Sequence, residues 1–187
     1  GTDNNASCMQ ALTASVVSGN LHFYSVKGDG TTTQGNFLHD GALGNNSMAA
    51  GVNASTAATA TGATAIGFNS KAQGANSISL GASTASGADS IAVGRTAKAT
   101  ATNSIAAGFN TSAGQNSIAI GSGGATGALA TQANVANAIA IGSVARVFGD
   151  NSIALGRYSS AGQTNGVAIG WTADANQDKS VAIGYNT

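Results

Sequence analysis

Few residues in this 187-residue chain are equipped for acid–base or nucleophilic chemistry. His22 and His39 are the only histidines, Cys8 is the only cysteine, and all seven acidic residues are aspartates. Acid–base work needs two carboxyl groups held close in contrasting environments, and these aspartates are scattered along the sequence. A metal centre needs several His, Cys or carboxylate ligands at set spacings, and neither histidine stands in such a pattern. No Gly-x-Ser-x-Gly stretch occurs with His and Asp partners, nor does the Gly-Gly-x-Gly-x-Asp run of calcium-binding nonapeptides. Catalysis, a metal and a cofactor are therefore not expected. The chemistry on offer is that of contact. Lys71, Arg95, Lys98, Arg146 and Arg157 recur along the chain, and Phe68, Phe109 and Trp171 each follow a glycine by one residue. Exposed aromatic rings beside Arg and Lys make up protein contact surfaces. These eight residues are the candidate ligand-binding set, assigned to a water-facing strand.

The elements that position them are copies of one six-residue stretch. Asn116-Ser117-Ile118-Ala119-Ile120-Gly121 recurs as Asn103–Gly108, Asn151–Gly156 and Asn76–Gly81, with looser copies closing at Gly51, Gly67, Gly94, Gly142, Gly170 and Gly184. Most steps between closing glycines are 13 or 14 residues; those from Gly51 to Gly67 and from Gly121 to Gly142 are 16 and 21. A fixed short period marks a stacked repeat. Large apolar residues two apart with a small one between give the period of a strand, and a second alternating run of small residues follows each glycine. Each repeat therefore reads as strand, turn, strand, turn, with strands of about five residues. Stacked coil on coil in parallel, ten repeats would extend roughly 45–50 Å. The fold class is all-β, a parallel solenoid of ~14-residue coils.

Composition agrees. Only 7% of residues are charged, proline is absent and the formal net charge is zero, which argues against a nucleic-acid binder. One cysteine permits no internal disulfide. No stretch reaches the length of an apolar membrane helix.

The larger side chains are expected inside: Ile78, Ile91, Ile105, Ile118, Ile120, Ile139, Ile141, Ile153, Leu155, Ile169 and Ile183 form the expected core. Ala50 and Ala107 interrupt that column and predict loose packing. Two aliphatic side chains per coil fall short of the cost of ordering some 14 residues, so a second face must be buried by self-association. The small column is expected to supply it: Ala92, Ala106, Ala119, Ala140, Ala154, Ala168 and Ala182 as the oligomer face. The asparagines opening the motif suit left-handed turn conformations and a stacked amide ladder.

These motifs resemble the head repeats of YadA-like trimeric autotransporter adhesins, over about three-quarters of the chain, from Asn46 to Gly184. The approach Asp40-Gly41-Ala42-Leu43-Gly44-Asn45-Asn46-Ser47 resembles the entry to such heads. The resemblance implies a left-handed parallel β-roll forming a homotrimer, exposed on the surface of a Gram-negative outer membrane. It implies multivalent attachment to host cells or matrix proteins such as collagen or fibronectin, without catalysis. Neck, stalk and membrane anchor are expected beyond this segment, with membrane contact only through that anchor. Residues 1–45 are expected to form an irregular cap, with a strand over His22–Val26, and residues 46–187 the head repeats. The long Gly121–Asn137 step must bulge from the stack, as a tolerated insertion or a binding loop. Three rival readings stand beside this one. Hexapeptide acyltransferases repeat every 18 residues or so, which does not fit. An ice-binding solenoid needs a Thr-x-Thr pair in each coil, and most coils lack it. A plain spacer in a surface fibre is the strongest alternative.

Overall fold

The computed structural model describes residues 34–38, 40–124 and 130–187. The expectations for Cys8, for both histidines and for a strand at His22–Val26 lie outside these residues.

Two parallel sheets form the solenoid, which makes about nine turns. One has ten strands, from Met48–Ala50 to Val181–Ile183, and takes the strand before each closing glycine. The other has nine, from Ser55–Thr56 to Asp174–Ala175, and takes the strand after it. Each strand pairs with its copy in the neighbouring coil, so Ile105, Ile118, Ile139 and Ile153 stand in one row. The strands are shorter than expected, three residues in the first sheet and mostly two in the second. Tight corners take up the rest of each coil. Most coils carry two non-glycine residues at positive φ: the motif asparagine, as in Asn103 and Asn116, and the residue two after the closing glycine, as in Asn69 and Asn110. The closing glycines are also at positive φ, and most are packed too tightly for a side chain, Gly81 being an exception. A Cβ on Gly142, at φ 137°, would lie 2.5 Å from the carbonyl oxygen of Gly156 in the next coil.

The interior is lined by methyl groups and hydroxyls. The middle residue of each strand in the ten-stranded sheet and the last residue of each strand in the nine-stranded sheet point inward, as in Ala106 and Ala113, Ala119 and Ala133, and Ala154 and Ala161, all fully buried. Val147 is the largest buried hydrophobic side chain below 2% exposure. This reverses the expected inside and outside. Ala92, Ala106, Ala119, Ala140, Ala154 and Ala168 are at 0% exposure inside the chain, and Ala182 packs against the same core. They cannot form a face between subunits. Ile78, Ile91, Ile105, Ile118, Ile120, Ile139, Ile141, Ile153, Leu155, Ile169 and Ile183 are not core; all point outward from the ten-stranded sheet and none is buried. Strand alternation requires the two sets to face opposite ways but leaves open which is inside. The coil is too narrow to decide otherwise, because four inward columns converge on a space that Ala, Ser and Thr already fill. Ala50 and Ala107 therefore stand in the outer row rather than the interior, Ala50 buried and Ala107 half-buried there.

Buried serines complete the interior. Ser117 Oγ lies 2.7 Å from the Val135 carbonyl oxygen and accepts a bond from the Ala138 N–H at 3.0 Å, joining one coil to the next. Ser152 does the same with the Gln163 carbonyl at 2.8 Å and the Gly166 N–H at 2.9 Å. At the first coil, Asn36 donates to the carbonyls of Ala49 and Gly51 and accepts from the Gly41 N–H. Its amide thus satisfies carbonyls that have no preceding strand.

A candidate contact surface

The eight candidate residues fall into two rows rather than one. The first row is on the outer face of the nine-stranded sheet. Its register runs Ser55, Lys71, Thr84, Lys98, Ser112, Gln132, Arg146, Ser160, Asp174. Lys71 and Lys98 are exposed there, and Arg146 is half-buried with its guanidinium 5.8 Å from the Phe148 ring.

The second row is the corner just after each closing glycine. Arg95 and Arg157 sit in this corner, not on the strand to which the sequence assigned them. With Phe68, Phe109 and Trp171 they occupy one column, because each follows its glycine by one residue. Backbone bonds hold that column straight: Asn110 N–H bonds to the Arg95 carbonyl, and Thr172 N–H to the Arg157 carbonyl. Adjacent rungs therefore meet side by side. The Arg95 guanidinium lies 4.1 Å from the centre of the Phe109 ring. At the far end Arg157 stacks on Tyr158 at 4.8 Å, and Trp171 meets Tyr185 edge to face at 4.8 Å. Cation–π contacts of this kind stiffen side chains that would otherwise sample many rotamers. Phe68 is 61% exposed.

Tyr158, Tyr185 and Phe148 belong to these clusters and were not among the candidates. Tyr185 follows Gly184 by one residue, so the glycine-plus-one column contains it as plainly as it contains Trp171. Tyr158 lies one residue further on, at φ 60°, where other coils have asparagine.

The insertion opens from the same corner. Gly123 N–H still bonds to the Phe109 carbonyl, and Thr131 pairs with Thr111, so the stack is regular up to Gly123 and again from Thr131. By count the seven extra residues are 124–130, of which 125–129 lie outside the described residues. The two extra residues of the Gly51–Gly67 step lie in the opposite turn, between Thr56 and Thr64.

That opposite turn carries the predicted amide ladder. Asn103 donates to Asn116 at 3.1 Å, Asn116 to Asn137 at 3.2 Å, and Asn137 to Asn151 at 3.0 Å, while Asn76 donates to Asp89 at 3.0 Å. These groups are used up in holding coils together. Among the described residues there is no cluster of metal-binding side chains.

Among curated proteins, none matches the chain in sequence. The family model described as YadA head domain repeat (2 copies) matches residues 58–84, 85–111, 136–159 and 161–187, more than half of the chain. With a 13- to 14-residue period, a parallel solenoid built on that period and these four matches, the chain belongs to the YadA head family, whose members are cell-surface adhesin repeats.

Proposed function

We propose that this chain is the head of a homotrimeric bacterial surface adhesin that attaches the cell to host matrix proteins or host cells, of the collagen or fibronectin type. The family membership supports the adhesin reading. The observation that carries the trimer is the outer face of the ten-stranded sheet. Two rows of mostly branched aliphatic side chains run along it, from Ile66 and Ile78 to Val181 and Ile183, broken at Ala107, at 36% to 65% exposure for the most open of them. A largely aliphatic face of this extent is unusual on a monomer and marks an interface. The interior contributes only small side chains, so burying the isoleucines between subunits supplies the apolar burial that one coil lacks. The trimer therefore closes on the isoleucine face, with the left-handed roll the resemblance implies. The nine-stranded sheet and its aromatic corner remain to display Lys71, Arg95, Lys98, Arg146, Arg157, Phe68, Phe109 and Trp171 in three copies, and weak sites in three copies act together. Of the expected cap over residues 1–45, residues 1–33 and 39 lie outside the described residues. An anchor elsewhere in the parent protein would hold the head outside a Gram-negative outer membrane.

The decisive experiment has two readings. Sedimentation or light scattering should give three times the chain mass, 17.9 kDa for one copy, and a monomer at micromolar concentration sinks the trimer. Solid-phase binding to collagen and fibronectin should saturate. A trimer that binds neither them nor host cells is a spacer in a surface fibre.

A further inference from the structure

The formal net charge of zero hides a polarised cross-section. Of the described basic residues, Lys71, Lys98 and Arg146 lie in the outward row of the nine-stranded sheet, and Arg95 and Arg157 lie on the corner beside it. The described acids sit elsewhere, with Asp40 in the approach to the first coil and one base, Lys179, on their side. Asp89 occupies a rung of the asparagine ladder, Asp150 accepts the Ala136 N–H next to that ladder, and Asp178 precedes Lys179, which holds the ladder's place in the last coil. Asp174 alone lies in the basic row, at its far end beyond Arg146 and Ser160. The stretch from Lys71 to Arg146 therefore carries only positive charge.

We infer that this sheet face binds a linear sulfated polysaccharide laid along the solenoid axis. Three features favour that occupant. The row has no aliphatic side chain, so it offers nothing to a membrane or to a second copy of the chain. Its charges are sparse and regular. Lys71 and Lys98 stand two rungs apart and Lys98 and Arg146 three, roughly 10 and 14 Å at the spacing of paired strands, a rhythm suited to sulfates carried on successive sugars. Thr84, Ser112 and Gln132 fill the rungs between, and their hydroxyls and amide match the hydroxyls of a sugar chain. The rings on the corner add flat apolar surfaces on which pyranose faces can rest; Trp171 is 44% exposed. A nucleic acid would call for a denser basic track and an excess of positive charge over the whole chain.

The inference rests on the adhesin reading only in requiring this face to stay outside the assembly. The test uses immobilised heparin, hyaluronan (carboxylated but unsulfated) and a single-stranded DNA of similar charge, with the whole chain in its native assembly. Retention on heparin should exceed that on the other two and fall steeply as salt rises. The variant Lys71→Ser, Lys98→Ser, Arg146→Ser should lose at least about tenfold in affinity, as expected when several interfacial charges are removed together. Asp89→Asn with Asp150→Asn, on the opposite turn, should stay within about twofold. Chemically desulfated heparin makes the same test without altering the protein and should not be retained. No retention on heparin at low salt, equal retention of its desulfated form, equal retention of the DNA, or an unaltered row variant would each overturn the inference. Collagen and fibronectin binding measured on the same samples separates the two claims. Matrix binding without heparin binding ends this inference and leaves the adhesin reading standing.

Discussion

Ser77 and Ser152 occupy the same column, one residue before the strand, and both are fully buried, yet their circumstances differ. Ser152 Oγ bridges two coils through Gln163 and Gly166, whereas Ser77 Oγ has no hydrogen-bond partner among the described residues. A buried hydroxyl without a partner costs free energy, and removing one that bridges leaves its partners unsatisfied. Ser152→Ala should therefore destabilise by about 1–3 kcal/mol, while Ser77→Ala should leave stability unchanged or raise it; chemical denaturation of the two variants side by side decides this. Ala119, at 0% exposure, tests the narrowness of the coil. Ala119→Leu should cost about 1–3 kcal/mol or more by overpacking, seen as a lowered melting temperature, although the change makes the segment more apolar. A neutral result would mean that the interior has room the structure does not show.

Among the elements, the corner after the closing glycine accepts the longest addition, while the opposite turn accepts two residues between Thr56 and Thr64. The seven-residue insertion leaves the flanking registers intact, with Ile118 still opposite Ile139 and Thr111 opposite Thr131. Removing residues 124–130 should restore a 14-residue coil with Gly123 at the position where most other coils have positive φ, a conformation glycine adopts freely. The shortened protein should keep its fold, its assembly and a melting temperature equal to or above that of the parent, because a shorter loop is closed at lower entropic cost. Loss of matrix or cell binding in this variant would assign the loop a contact role; loss of folding would show that it supports the stack. The period and the strand–turn–strand–turn order follow directly from the spacing of glycines. The division of the charged residues between strand and corner does not. Arg95 and Lys98 differ by three positions in one coil, and only the length of the turn places the first on the corner and the second on the sheet.

At the scale of the whole molecule, the proposed trimer would make stability and assembly one quantity. With a thin interior of alanines and a long, mostly aliphatic outer face, the folded chain would then depend on burying Ile105, Ile118 and Ile139 against other copies. Ile105→Asp with Ile118→Asp should dissociate the oligomer and lower the melting temperature sharply, whereas Lys71→Ser with Lys98→Ser, on the opposite sheet, should leave both unchanged. Mass in solution and thermal melting over a range of concentrations check this. A mass unaltered by the two aspartates would place the interface elsewhere.

The sequence by itself determined the repeat, its period, the parallel pairing of equivalent strands, the position of the insertion and the asparagine ladder. Each of these depends on spacing along the chain, and spacing is preserved when coils stack. It also determined that isoleucines and alanines face opposite ways, since alternate residues of a strand must. Only the tertiary structure decided which set is inside. Alternation is symmetric between the two faces, and the usual preference for burying the larger apolar side chain is overruled by the width of the coil. Two short strands closed by tight corners enclose room for a methyl group or a hydroxyl per inward position, so Ala119 goes in and Ile118 and Ile120 go out.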